Sequence, residues 1–318
     1  MNRLVLIDGN AMMHRAYHAL PPLTTPDGTL VNAVYGFTSM LIKLFGDLKP
    51  THMAVAFDRP EPTFRKKLFK DYQAHRPELD DGMVSQFPIV RDVVSAFNIP
   101  VYDAAGFEAD DVMATLAAQA PMQVIIVTGD RDLLQLVRDN RVLVFMPTKG
   151  LSEGALYGER QVEERMGVKP KLIPALKALA GDPSDNYPGV GGIGPKTAAN
   201  LLKEYGTVEK LLKAAEKSKL PEGVNKKLMG GAESARLGQT LAMIRHDAPV
   251  AFSADSARIE TLDTLDARAK LAELHFPSLV KRLSGKTEKQ EKPKKETPKK
   301  PEDLPAGKAG KKEQLSLV

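Results

Sequence analysis

Four short runs of uninterrupted apolar or β-branched residues mark the first half of the chain: Leu4–Ile7, Met53–Phe57, Val124–Val127 and Val142–Phe145. Runs that do not alternate with polar residues are those of strands covered on both faces, as in a parallel sheet. Between them apolar positions recur with a helical period over Ala33–Phe45, Val84–Phe97 and Asp110–Ala118. Strands alternating with helices predict an α/β fold with a mostly parallel central sheet flanked by helices. Functional groups of such sheets gather beyond the carboxyl ends of the strands. From about Val162 only the helical period remains, over Lys171–Ala180, Lys196–Lys203 and Ala267–Leu274, separated by glycine-rich turns. After Leu283 apolar residues almost vanish, and a segment that cannot bury apolar surface does not order itself. The chain therefore divides into an α/β core at 1–161, a helical subdomain at 162–283 and a disordered Lys/Pro-rich tail at 284–318.

Charge sharpens this division. The chain of 318 residues has a net charge of +5. Ten lysines and five acids between Ser284 and Lys312 supply all of it, so the remainder is neutral. A neutral body still binds nucleic acid if its acids and bases are segregated. With no cysteine, disulfides and thiolate zinc sites are excluded, which fits a reducing cytoplasm. The apolar run at the N-terminus is too short for a signal peptide or a membrane span, so no membrane association is expected.

The acids are where the chemistry lies. Three strand-like runs lead into aspartates: Asp8, Asp58 and Asp130, the last followed by Asp132. A cluster of Glu108, Asp110 and Asp111 opens a helix, and Gly181-Asp182-Pro183-Ser184-Asp185 sits at a turn in the helical region. Taken singly, an aspartate before a helix is an N-cap and the last motif is a turn. Nine carboxylates converging on one sheet edge would repel one another, and divalent cations would relieve that repulsion. Oxygen ligands without histidine or cysteine point to Mg2+ or Mn2+ and away from zinc. Two such ions about 3.5–4 Å apart would clamp a phosphodiester for in-line attack by water without a histidine base. His14 and His18, four residues apart, lack a third nitrogen or sulfur ligand and read as an ordinary helix face.

Cationic grips accompany the acids. Residues 63–76 interleave Arg65, Lys66, Lys67, Lys70 and Arg76 with Phe64, Phe69 and Tyr72, which suits phosphate contact with base stacking. The bland reading is a solvated helix face over packed Phe64, Leu68 and Phe69. Arg15 follows the first strand and fits the same use. Farther on, Pro188-Gly189-Val190-Gly191-Gly192-Ile193-Gly194-Pro195-Lys196-Thr197-Ala198 enters a helix whose N-terminus presents free amides to phosphate. This is a helix-hairpin-helix signature, which reads the backbone and not the base sequence.

Residues 1 to about 283 resemble the 5′ nuclease domain of bacterial DNA polymerase I and its relatives, the flap endonuclease family. The resemblance is carried by Asp8-Gly9-Asn10 with Arg15, Phe57-Asp58, Phe64-Arg65 with Tyr72 and Arg76, Gly106-Phe107-Glu108-Ala109-Asp110-Asp111, Thr128-Gly129-Asp130-Arg131-Asp132, and Gly181-Asp182-Pro183-Ser184-Asp185-Asn186 followed by Gly194-Pro195-Lys196-Thr197-Ala198. It implies a PIN-like fold, a mobile helical arch at about 60–98 and a helix-hairpin-helix subdomain. It also implies a first metal group of Asp8, Asp58, Glu108 and Asp110 with Asp111 nearby, and a second of Asp130, Asp132, Asp182 and Asp185. Arg15, Arg65, Lys66, Tyr72 and Arg76 are the expected catalytic side chains. DNA contacts are expected from Lys70, Gly189, Gly191, Gly192, Gly194, Lys196 and Thr197, with a K+ ion at the hairpin. The implied activity is a 5′→3′ exonuclease and 5′ flap endonuclease acting on DNA flaps, forks or nicks and on RNA primers. A non-catalytic junction-binding module would lack acids, and none is lacking. A PIN-type ribonuclease would not combine the arch with the hairpin.

Two departures stand out. Gln73 occupies the position where the family usually has a lysine, leaving Arg76, Lys66 or Lys70 to compensate. The chain also ends without a proofreading or polymerase domain, so a stand-alone nuclease is expected, and a monomer, since no sequence feature calls for a second copy. Its last residues, Gln314-Leu315-Ser316-Leu317-Val318, resemble the peptide by which replication proteins dock on the sliding clamp, with valine where an aromatic is usual. Gln314, Leu315 and Leu317 are the partner-binding residues this implies.

Overall fold

The structure is a computed structural model and describes residues 2–149 and 153–285. The tail with Gln314, Leu315 and Leu317 lies outside the described residues. Six strands form one sheet: β1 (Arg3–Asp8), β2 (His52–Ala56), β3 (Val101–Tyr102), β4 (Gln123–Val127), β5 (Val142–Lys149) and β6 (Glu153–Tyr157), in the order β3-β2-β1-β4-β5-β6. All neighbours pair in parallel except β5 and β6, which pair antiparallel. The sequence pattern marks the four central strands. β3 has only two residues, and β6 is a largely exposed edge strand, so neither presents an apolar run.

The uninterrupted runs are explained by the two cores. Leu4 and Leu6 join one cluster with Ala54, Val124, Ile126 and Val144, while Val5 and Ile7 join the other with Met53, Val55, Ile125 and Val127. Alternate side chains thus enter opposite apolar layers, so every position along a strand must be apolar. The first layer holds helix Ala109–Gln119 and continues without a break into the helical region through Val162, Ile173, Leu211 and Leu228. The second holds helices Gly9–Ala19, Asn32–Leu48 and Phe87–Ala96.

Two findings alter the sequence reading. The helix expected over Val84–Phe97 is two, Asp81–Val84 and Phe87–Ala96, with Gln86 between them. The fully buried Gln86 side chain accepts bonds from the Ala33 and Val34 amides, capping helix Asn32–Leu48, and donates to Asn32 Oδ1 and the Gly82 carbonyl. In addition, the last helices, Leu265–Glu273 and Pro277–Leu283, do not stay with the hairpin region. Leu271, Phe276 and Leu279 pack into the second layer, and Arg282 donates to Ser39. The end of the expected 162–283 segment therefore folds back onto the α/β core. Among the described residues no helix is long and apolar enough to cross a membrane.

Candidate metal centre

The chain reverses direction across the sheet between β1 and β4, and open parallel sheets place ligands at such a switch point. β1 ends in Asp8, whose Oδ1 accepts from the Ala11 amide at 2.9 Å and whose Oδ2 accepts from Thr128 Oγ1 at 2.7 Å. One side chain thus caps helix Gly9–Ala19 and also feels the Asp58 and Asp130 charges. Gly9 follows because a Cβ there would lie 2.3 Å from the Phe57 ring. Asp58, just past β2, is held by Asn10 Oδ1 at its amide and accepts from the Ala109 amide at 2.7 Å. Glu108 and Asp110 open helix Ala109–Gln119, where the helix dipole favours acids. Beyond β4, Thr128 fixes the turn by accepting from the Asp130 amide, and Asp130 in turn accepts from that of Asp132.

These acids sense one another. Burial pushes the Asp8 and Glu108 carboxyls up to about 7. Asp110 is raised well above the carboxylate range, first by burial and then by Asp130, Asp8, Glu108 and Asp58. Asp58 is open to solvent as a residue, yet its carboxyl is packed among protein atoms and shifts upward for the same leading reason. Asp130, expected in the second group, acts on Asp8, Asp58 and Asp110 as well as on Asp132, and so stands between the two groups.

Asp132, Asp182 and Asp185 bring carboxylate oxygens within 4.8 Å of one another. The ammonium of Lys177, a residue no sequence motif marks, forms ion pairs with both Asp132 and Asp182. Burial opposes the Lys177 charge, but the two aspartates outweigh it and hold the ammonium above the usual lysine range. Asp182 is drawn below its ordinary value because Lys177 overcomes burial. Asp132 goes the opposite way, up to about 7, because burial and the adjacent Asp130 dominate there. The shared ammonium is charged in either case. Gly181, with φ of 79°, turns the chain out of helix Ile173–Ala180 into the Asp182 loop.

Asp185 is tied to the expected arch. Its Oδ1 accepts from Arg76 at 2.8 Å and from Gln73 Nε2 at 3.1 Å, and its carbonyl accepts from the Gln73 amide at 2.9 Å. The buried Tyr72 hydroxyl lies 3.3 Å from Asp185 Oδ2 and also from Glu108 Oε2, so it spans the two acidic groups. Lys66 donates to the Tyr72 carbonyl. Lys70 is exposed, and Arg15 is half-buried on helix Gly9–Ala19.

Arg65 and Asp111 take different places from those expected. Asp111 is fully buried and accepts from Arg65 Nη1 and Nη2, at 2.7 and 2.9 Å, and from the amides of Glu108 and Arg245. Four donors satisfy the oxygens of a carboxylate, which leaves no lone pair for an ion. Arg65 is buried as well, and beyond Asp111 it donates to the Leu241 and Met243 carbonyls and faces Glu108 at 3.2 Å. Its guanidinium is committed to the protein, and is therefore a clamp on the site's frame in place of the phosphate grip the sequence suggested.

In the hairpin, Gly191, Gly194, Lys196 and Thr197 are exposed ahead of and within helix Pro195–Tyr205, whose N-terminus no side chain caps. Gly189 is different: a Cβ there would lie 2.2 Å from the Gly181 amide nitrogen, so its glycine serves close backbone contact beside the Asp182 loop. Gly192, at φ of 76°, gives its carbonyl to Lys227 Nζ at 3.1 Å. That ammonium thus meets one carbonyl of the hairpin.

Residues 3–167 match the family described as 5'-3' exonuclease, N-terminal resolvase-like domain, and residues 168–265 match 5'-3' exonuclease, C-terminal SAM fold. The chain belongs to the 5'-3' exonuclease family. A relative from Aquifex aeolicus named 5'-3' exonuclease is 38% identical over 286 residues, covering 89% of this chain and 96% of that protein. DNA polymerase I of Bacillus caldotenax is 41% identical over 294 residues, covering 92% of this chain. The chain spans 33% of the length of that polymerase. A bacteriophage T5 flap endonuclease, solved as a pseudo-enzyme-product complex with DNA and metal ions, shares the fold with a TM-score of 0.63 at 20% identity, covering 89% of this chain and 98% of its own. Within this 5'-3' exonuclease family member, the resolvase-like part supplies Asp8, Asp58, Glu108, Asp110, Asp130 and Asp132, while Asp182, Asp185 and the hairpin fall in the SAM-fold part.

Proposed function

We propose that this 5'-3' exonuclease hydrolyses phosphodiesters at the 5′ ends of DNA and at 5′ flaps, forks and nicks, with Mg2+ or Mn2+ held by the acidic edge. The observation that carries the reading is the oxygen-only donor set, with Asp132, Asp182 and Asp185 clustered within 4.8 Å beside acids whose ionisation the metal-free fold resists. Such a set fits a hard divalent ion. Asp8, Asp58, Glu108 and Asp110 would hold one ion, and Asp132, Asp182 and Asp185 a second, with Asp130 between them. When bound, the ions would supply charge neutralisation at the scissile phosphate and acidify the attacking water.

The protein's own groups do the rest. Arg76 and the exposed Lys66 and Lys70 draw the strand toward the edge. Tyr72 orients Glu108 and Asp185. Lys196, Thr197 and the open amides beyond Gly194 hold duplex phosphates. The segment at about 60–98 would act as the arch, within a division at 1–161, 162–283 and 284–318. We extend the reading to RNA primer strands, and to a sliding clamp engaged by Gln314, Leu315 and Leu317; deleting these residues should weaken clamp binding and leave cleavage of naked flaps unchanged.

A 5′-labelled flap duplex tests the central claim. Cleavage near the junction is expected with Mg2+ or Mn2+, and its loss with EDTA or in Asp130→Asn. Cleavage that survives chelation would overturn the metal assignment, and tight binding without cleavage would recast the chain as a junction-binding module.

A further inference from the structure

Lys177 is a half-buried cation inside a group of acids that the proposed function assigns to a second divalent ion. It projects from helix Ile173–Ala180 one turn before Asp182, and its side chain is only 18% exposed. Its ammonium pairs at once with Asp132, on the 3-10 helix after β4, and with Asp182 on the loop that follows its own helix. The third carboxylate, Asp185, is engaged from the other side by Arg76. The three acids thus already have two protein cations among them, and an ion seated against the same oxygens meets the Lys177 charge at contact distance.

We propose that Lys177 is the resident counter-ion of the Asp132–Asp182–Asp185 group, and that a divalent ion binds there by displacing its ammonium. This rests on the reading of these acids as metal ligands and adds what sets their affinity. Lys177 keeps the group compact without metal, and it makes the second ion the weaker bound, because like charges a few ångströms apart in a buried site repel strongly. A purely structural lysine, one that only ties the 3-10 helix to the Asp182 loop, has the opposite consequence: its loss would loosen the ligands and weaken binding.

The two roles separate in a Mn2+ titration of the full chain without DNA, followed by the free-ion EPR signal, on the wild type, Lys177→Met and Lys177→Arg. Two classes of site are expected in the wild type. In Lys177→Met the weaker class should tighten by about tenfold or more, with the stronger class unmoved, and Lys177→Arg should keep the wild-type pattern. Melting in EDTA should show Lys177→Met less stable than the wild type and gaining more from added Mn2+. A weaker class unchanged or loosened in Lys177→Met overturns the proposal. If that variant does not fold, Lys177→Gln, which also removes the charge, carries the same comparison. Failure of the wild type to bind Mn2+ at all would instead bring down the metal reading on which the proposal stands.

Discussion

Replacing Arg65 by methionine separates its two possible uses. The structure makes the guanidinium a buried clamp: two bonds to Asp111, one each to the Leu241 and Met243 carbonyls, and a contact with Glu108. Methionine fills much of the volume but strands the Asp111 charge in a fully buried position. Removing one partner of a buried pair costs about 3–5 kcal/mol. For a large domain each kcal/mol corresponds to roughly 2–4 °C of melting temperature, so Arg65→Met should melt some 6–20 °C below the wild type. Thermal denaturation in EDTA measures this without interference from metal. The double variant Arg65→Met with Asp111→Asn removes the stranded charge and should recover part of the loss, a coupling that a double-mutant cycle reads directly. If Arg65→Met melted like the wild type and lost only cleavage, the guanidinium would be acting on the phosphate and the clamp would be wrong.

Other outcomes follow from the same geometry. Asp8 and Glu108 titrate near 7 in the folded, metal-free protein, above their unfolded values, so the fold is favoured most at low pH and loses that advantage as pH rises through about 7. Melting temperature in EDTA should therefore fall between pH 6 and pH 8, while saturating Mg2+ should remove most of the fall. Metal affinity should rise over the same interval with release of protons, which calorimetry in buffers of different ionisation enthalpy would detect; binding independent of pH would contradict the crowding of the edge. Gln73→Lys places a cation where Gln73 now bonds Asp185 and should raise the cleavage rate in single-turnover assays; an unchanged rate would mean that Arg76 already suffices. Lys196→Ala should weaken duplex binding and lower the salt slope by about one, with no effect on Mn2+ affinity.

The central strands and most of the acidic edge are legible because a buried parallel strand leaves an apolar run whose end is visible as the first charged residue. Asp8, Asp58 and Asp130 are found that way. Contacts across long separations leave no such trace. Arg65 lies 46 residues from Asp111, and nothing local distinguishes a guanidinium that meets a buried carboxylate from one that meets solvent. Lys177 looks like the polar face of an ordinary helix until the Asp182 loop folds back beside it. Gln86 breaks an otherwise continuous helical period because its amide caps a different helix, 53 residues earlier. The return of Leu265–Glu273 and Pro277–Leu283 to the α/β core is hidden for a related reason: an amphipathic helix shows that it has a partner but does not name it.

Five of the nine carboxylates, Glu108, Asp111, Asp132, Asp182 and Asp185, pair directly with Arg65, Arg76 or Lys177. Full ionisation of all nine would leave negative charge in excess of these three cations. Burial and the neighbouring acids resist ionisation of Asp8, Asp58, Glu108, Asp110 and Asp132, whereas at Asp182 Lys177 prevails over burial. The same field that disfavours a carboxylate disfavours a phosphate, so a metal-free edge at neutral pH opposes the polyanion it is proposed to cut. A divalent ion bound there would reverse that sign locally. Binding free energies are reciprocal, so if metal favours the DNA backbone, the backbone must favour metal by the same factor. Occupancy of the weaker group, with Lys177 and Arg76 already seated among its acids, is then the point at which substrate has the most to add.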